Sequence, residues 1–158
     1  MKISCFIWIT LHNKVLSWEN LQKRGWIGPG CRALCGRGED SVQPLFISCT
    51  LWKNIIVLLS DVFQFLPTQF SDNLGSFLST WTSHFSKYSV ICYLPFFAIW
   101  AIWKERNRAI FDGIKPSLLS IIQHIVYLSH LYKLATTKVK KPRAIGNGPV
   151  LAFPYGFF

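Results

Sequence analysis

Apolar residues occur along the first 135 positions in runs whose spacing and length predict helices. The clearest pattern is the last one, where apolar side chains return every three or four positions from Leu118 to Leu134. Near the start, Ser17 has the position of an N-cap, and Gly25 follows two basic residues as a helix stop. The predicted helices cover residues 3–12, 18–24, 45–65 with a break near Asp61, 74–85, 95–111 and 118–134. The fold class expected from these patterns is mainly α.

The longest uncharged stretch, residues 90–103, raises the alternative of a membrane span. As a helix it rises about 21 Å, at about 1.5 Å per residue, whereas a bilayer core of about 30 Å needs about 20 residues. Pro95 also lies inside it. The sequence therefore favours a helix that starts near Pro95 and is buried against other helices. A small membrane-associated protein with a basic tail at an anionic surface remains the alternative.

Composition and charge narrow the choice of partners. The 158 residues amount to about one domain, and 51% of them are hydrophobic, which is enough material for a core. The net charge of +10 comes from 17 basic and 7 acidic residues. Such an excess suits RNA, DNA or an anionic membrane, although many basic chains bind nothing specific.

A basic cluster ends the helix predicted at 95–111. Lys104, Arg106 and Arg108 follow two tryptophans, a combination that suits phosphate contacts and base stacking in RNA binding. The alternative is a solvated helix face with a Glu105–Arg108 ion pair, which contributes a few tenths of a kcal/mol.

The cysteines suggest a metal site. There are five, at positions 5, 31, 35, 49 and 92, with no secretory leader ahead of them, so an intracellular chain and metal binding are expected rather than disulfides. Cys31 and Cys35 have the spacing of the first ligand pair in a structural zinc site, and Cys49 is a third candidate. Cys5 and Cys92 lie in apolar runs and are expected to be buried structural residues.

Nothing in the sequence predicts catalysis. The acidic residues are scattered, so no carboxylate pair suits two-metal chemistry. Gly36 and Gly38 follow no predicted strand and lack a third glycine, so they do not form a phosphate-binding loop. We therefore expect a protein that is not an enzyme and has no small-molecule substrate.

Several short motifs, spread over about residues 1–115, occur together in one known family. They are KISCFIW at 2–8, LHNK at 11–14, NLQKRGW at 20–26, CG at 35–36, EDSV at 39–42, LF at 45–46, Cys49, and AIWAIWKERNRAIF at 98–111. This set resembles the zinc-binding domain of reverse transcriptases from plant LINE-type (non-LTR) retrotransposons and the long helix that follows it. The resemblance implies a zinc knuckle, formed by a Cys-x2-Cys pair, a histidine before Leu-Phe, and a closing cysteine.

The chain departs from that ligand pattern at two positions. The first pair is Cys-x3-Cys, with Arg32 where the family has a cysteine, and Pro44 stands where the family has histidine. Proline has no side-chain donor atom, so Cys31, Cys35 and Cys49 form an incomplete set. Water, Asp40 or His12 are the candidates for a fourth ligand. Without metal, packing of Trp26, Leu34, Leu45 and Phe46 would have to hold the knuckle.

The predicted organisation has three parts. A reverse-transcriptase zinc-binding-like region covers residues 1–66, a helical extension covers 73–135, and a flexible basic tail covers 136–158. The expected fold is a small helical domain built around a degenerate zinc knuckle. The expected function is that of a non-catalytic, retrotransposon-derived protein with a degraded zinc site and weak affinity for RNA or DNA. Its alternatives are a membrane-associated helical protein and a remnant without function.

Overall fold

The computed structural model describes residues 2–27, 34, 40–63, 73–85 and 89–138, and within these ranges it is helical without any strand. The mainly α class is confirmed. The elements are α1 (Lys2–Leu11), α2 (Trp18–Gln22), a π-helical turn (Pro44–Ser48), α3 (Thr50–Phe63), α4 (Leu74–His84), α5 (Val90–Phe111) and α6 (Leu118–Lys138). The part of the predicted flexible tail from residue 139 onward lies outside the described residues.

Helix α5 is the centre of the fold, because α1, α3, α4 and α6 all pack against it. Its middle is apolar on every side: Ala98, Ile99 and Ile102 are fully buried. A helix that is hydrophobic all round has to be surrounded by other elements. Among the described residues, no helix combines the length and the apolar character needed to cross a membrane.

Helix α5 starts earlier than the sequence suggested. Its first residue is Val90, and Pro95 lies inside the helix rather than at its start. The hydroxyl of Ser89 accepts a hydrogen bond from the Ile91 amide at 3.2 Å and so caps the first turn. Pro95 has no amide hydrogen to offer the Ile91 carbonyl four positions earlier, but the indole of Trp81 on α4 donates to that oxygen at 3.0 Å. A tertiary hydrogen bond therefore replaces the one that proline removes.

The helix predicted at 45–65 is divided at a different point. The π-helical turn ends at Ser48, Cys49 is extended with ψ 132°, and α3 runs on through Asp61 without a break. The carbonyl of Cys49 accepts from the Lys53 amide at 3.0 Å. Cys49 therefore occupies the N-cap position of α3, and not a position one turn inside a helix as expected.

Candidate metal site and basic surface

The segment expected to bind metal, residues 31–49, is called the cysteine segment here. Cys31 and Cys35 lie outside the described residues. Leu34, between them, is buried in the hydrophobic core, and Cys49 at the far end is 1% exposed. Leu34 and Cys49 therefore both belong to the hydrophobic core. Cys92 is buried as expected, but Cys5 is exposed on α1, so the expectation for Cys5 is wrong.

Packing around this segment agrees with most of the expectation. Leu45 and Phe46 have no exposed surface, and Phe46 meets Trp52 of α3 edge to face, with ring centroids 6.5 Å apart. Trp26 is the exception, because 64% of its surface is exposed. Core side chains on the π-helical turn and α3 thus provide the packing that was expected of Trp26.

Pro44 and His12 do not provide an obvious fourth ligand. Pro44 is the first residue of the π-helical turn, where a missing amide hydrogen is tolerated. His12 is exposed at the end of α1, with Nδ1 2.8 Å from the carbonyl oxygen of Trp8. Within the part of the chain that the structure describes, no three His, Cys, Asp or Glu side chains are grouped as metal ligands would be.

Asp40, the third candidate, has structural partners. Its Oδ2 accepts from the Trp18 amide at 3.1 Å and from the guanidinium of Arg106, and its carbonyl accepts from the Glu19 amide at 3.2 Å. It therefore caps the first turn of α2 from 22 positions away. Ser17 has the predicted N-cap position, but its hydroxyl makes no capping bond.

The pair of Asp40 and Arg106 is almost completely removed from solvent, with side-chain exposures of 2% and 4%. The Arg106 guanidinium carbon lies 4.8 Å from the centre of the Trp103 ring, within cation–π range. Asp40 Oδ1 is also buried and has no hydrogen-bond partner among the described residues. One oxygen of this carboxylate is still available to a metal, while the other is occupied. The described donors therefore fit a complete tetrahedral zinc cage poorly.

The predicted basic surface is smaller than expected. Lys104 is exposed, and the side chain of Arg108 is 40% exposed. Arg106 is 3% exposed and faces Asp40, so it is not part of the exposed surface. Successive residues of a helix point in different directions, so the positions of Lys104 and Arg108 do not indicate whether the Arg106 side chain is exposed.

The expected Glu105–Arg108 ion pair is present at 2.9 Å, but it does not lie on a solvated face. Glu105 is 3% exposed and accepts hydrogen bonds from the Ser117 amide at 2.9 Å and the Ser120 hydroxyl at 3.1 Å. These bonds satisfy polar groups at the start of α6. Glu105 therefore joins the end of α5 to the beginning of α6.

An exposed aromatic side chain that the sequence reasoning missed lies beside the remaining basic residues. Phe111 is 77% exposed. Its spacing of seven and three positions from Lys104 and Arg108 places the three residues on one face of α5. Lys115, in the connection to α6, is also exposed. We call Lys104, Arg108, Phe111 and Lys115 the basic face.

His124 of α6 experiences the charge of this face. Burial lowers the pKa of His124 from its ordinary 6.5, the charge of Lys104 lowers it further, and the Glu105 carboxylate acts in the opposite direction. His124 is therefore biased toward its neutral form.

Part of the chain is similar to a known protein family. Residues 1–56 match the family described as zinc-binding in reverse transcriptase. No curated protein and no solved structure matches the chain. The matched range contains all three candidate cysteines and ends within α3, so α4, α5 and α6 lie outside it.

Proposed function

We propose that this chain is a non-catalytic protein derived from the zinc-binding domain of a plant LINE-type (non-LTR) retrotransposon reverse transcriptase. In this proposal the zinc site is degraded, and the basic face binds RNA or DNA weakly. The observation that carries the proposal is the match of residues 1–56 to the reverse-transcriptase zinc-binding family, in a chain with Pro44 at the expected histidine position.

The donor chemistry supports the loss of tight zinc binding. Any bound zinc would be held by the thiolates of Cys31, Cys35 and Cys49, which supply three of the four ligands of a closed structural site and leave the fourth position to water, Asp40 or His12. A complete structural site in a small zinc finger contributes about 10 kcal/mol or more. With Pro44 offering no donor and Asp40 shared with Arg106, much of that contribution is lost.

The core explains how the fold persists without that contribution. Leu45, Phe46, Ile56, Ile99 and Ile102 have no exposed surface, and they come from the π-helical turn, α3 and α5. Fully burying an aliphatic or aromatic side chain of this size contributes about 1.5–3 kcal/mol. Hydrophobic packing between these elements can therefore replace the metal as the main source of stability.

Nucleic-acid binding is supported by the basic face. Lys104, Arg108 and Lys115 offer cationic groups to phosphates, and the exposed ring of Phe111 offers a stacking surface for an unpaired base. Few phosphates can be contacted by so small a set. The affinity we propose is accordingly weak and insensitive to sequence, and it falls with salt in proportion to the few phosphates contacted.

Metal analysis tests the proposal directly. The full chain is purified without chelator, dialysed against metal-free buffer and measured for zinc, with helix content followed by circular dichroism before and after addition of EDTA. We expect well below stoichiometric zinc and unchanged helix content. Stoichiometric zinc after dialysis would overturn the degraded site, and Asp40→Asn, which weakens the one free carboxylate oxygen as a donor, would then identify the fourth ligand.

A further inference from the structure

We infer that Arg106 is a positioning residue for residues 40–49 of the cysteine segment: through Asp40, it holds this part of the segment against α5. The inference rests on the proposed function, in which residues 31–49 are the former metal site. It assigns part of the knuckle's framework to a residue far outside the matched range of 1–56.

The contact is buried and fixed from both sides. Asp40 and Arg106 are 66 positions apart in sequence, and their side chains are 2% and 4% exposed. The guanidinium lies over Trp103, whose ring packs 5.4 Å from that of Phe6 on α1. The Arg106 guanidinium therefore packs against Trp103 as well as pairing with Asp40.

A continuous series of contacts connects Asp40 to the closing cysteine. Directly after Asp40, the carbonyl of Ser41 accepts from the Leu45 amide at 3.0 Å and starts the turn that carries Leu45 and Phe46 into the core. That turn ends at Ser48, and Cys49 follows it at the N-cap position of α3. Fixing Asp40 therefore fixes the start of the turn whose end places Cys49.

Losing one member of the pair should be more harmful than losing both. If Arg106 is shortened to an uncharged side chain, the carboxylate of Asp40 stays buried without its counter-charge, which is strongly unfavourable. If both side chains are made uncharged, no buried charge remains. The two positions should consequently be coupled in any measurement of local stability.

Two buried cysteines make the inference testable. Cys49 is 1% exposed at the end of the cysteine segment, and Cys92 is 3% exposed near the start of α5. The reduced, EDTA-treated full chain is labelled with iodoacetamide under native conditions, and the rate at each cysteine is read by peptide mass spectrometry. Local release of the segment exposes Cys49 and leaves Cys92 protected, whereas global unfolding exposes both Cys49 and Cys92.

We expect Arg106→Met to raise the labelling rate of Cys49 on the order of 100-fold, with a much smaller change at Cys92. Such a factor is about 2.7 kcal/mol of opening free energy, at about 1.36 kcal/mol per factor of ten. Arg106→Lys, which keeps the charge, should restore part of the protection. In the double variant Asp40→Asn with Arg106→Met, the factor by which the Cys49 labelling rate rises should be smaller than the product of the factors for the two single variants. Lys104→Met removes one exposed charge from the same helix and should leave both rates unchanged.

The inference fails if Cys49 and Cys92 change by the same factor, or if neither changes, in a variant that keeps its helix content. Should Arg106→Met not fold, the comparison of Cys49 with Cys92 is made in Arg106→Lys. Because the chain is labelled without metal, a finding of tightly bound zinc would overturn the degraded site without affecting this test.

Discussion

The indole N–H of Trp81 donates a hydrogen bond to the carbonyl oxygen of Ile91, with 3.0 Å between nitrogen and oxygen. In an uninterrupted helix that oxygen would accept from the amide four positions later, but this position is Pro95. The carbonyl oxygen that Pro95 leaves without a backbone partner is thus satisfied by a side chain from the preceding helix. This bond explains how α5 can begin at Val90 and continue through a proline.

The first prediction concerns this bond. Trp81→Phe keeps an aromatic ring in the core but removes the donor, so the Ile91 carbonyl loses its partner. We expect the free energy of unfolding to fall by about 1–3 kcal/mol. Urea unfolding followed by circular dichroism measures the change.

Pro95→Ala provides the matched control, because alanine restores an amide hydrogen that can reach the Ile91 carbonyl. In that background, Trp81→Phe should cost clearly less than in the natural chain. Equal costs in the two backgrounds would mean that the lost ring volume, and not the hydrogen bond, accounts for the effect.

The second prediction concerns the junction between α5 and α6. Glu105→Gln keeps the side-chain shape but removes the charge that holds Arg108 and accepts from Ser117 and Ser120. Hydrogen bonds to charged groups contribute about 1.5–3 kcal/mol, so we expect a loss of stability in that range. Amide hydrogen exchange should become faster first in the opening turns of α6.

Asp112→Asn serves as the control for this variant, because Asp112 is an exposed acid close to the same junction. It should leave exchange in α6 unchanged. A uniform increase in exchange along the whole chain for Glu105→Gln would contradict a local capping role.

The third prediction is a pH dependence that arises from His124. Burial, reinforced by the Lys104 charge, lowers the folded-state pKa of His124 below 6.5. The unfolded chain then binds the proton more readily than the folded one, so stability falls as pH drops through 6.5 and levels off below the folded-state pKa. Thermal unfolding measured between about pH 8 and pH 5, a range chosen around the ordinary histidine pKa, gives this dependence of stability on pH.

His124→Gln should reduce the dependence of stability on pH in that window. The comparison variant is His130→Gln, at an exposed position of the same helix. Identical slopes for the natural chain and His124→Gln would show that His124 contributes nothing to the pH dependence.

Helix positions could be predicted from the sequence because they depend on local patterns. The spacing from Leu118 onward identified α6, and the uncharged stretch at residues 90–103 predicted a helix buried against the others. The early start of α5 could not be predicted, since the compensation for Pro95 comes from Trp81 on another helix.

The Glu105–Arg108 pair, three positions apart, could be predicted from sequence, but the long-range partner of Arg106 could not. Arg106 lies between exposed Lys104 and partly exposed Arg108, and its partner Asp40 is 66 positions away. Side-chain burial at such a place depends on how α1, α2 and α5 meet, which local patterns do not encode. The sequence offers Asp40 as a candidate fourth metal ligand, but its role in capping α2 depends on the tertiary fold.

The fourth prediction separates the charged and aromatic parts of the basic face. With a single-stranded RNA probe, Lys104→Gln should reduce the slope of log affinity against log salt by about 0.7, the value for one lost phosphate contact on a single strand. Phe111→Ala should leave this slope unchanged and weaken binding by about 1 kcal/mol or more, since stacking releases no counterions. Lys53→Gln, an exposed cation on α3, is the charge-matched control and should change neither quantity. If Lys53→Gln lowers the slope as much as Lys104→Gln, binding depends on net charge alone, and the basic face is not a distinct nucleic-acid surface.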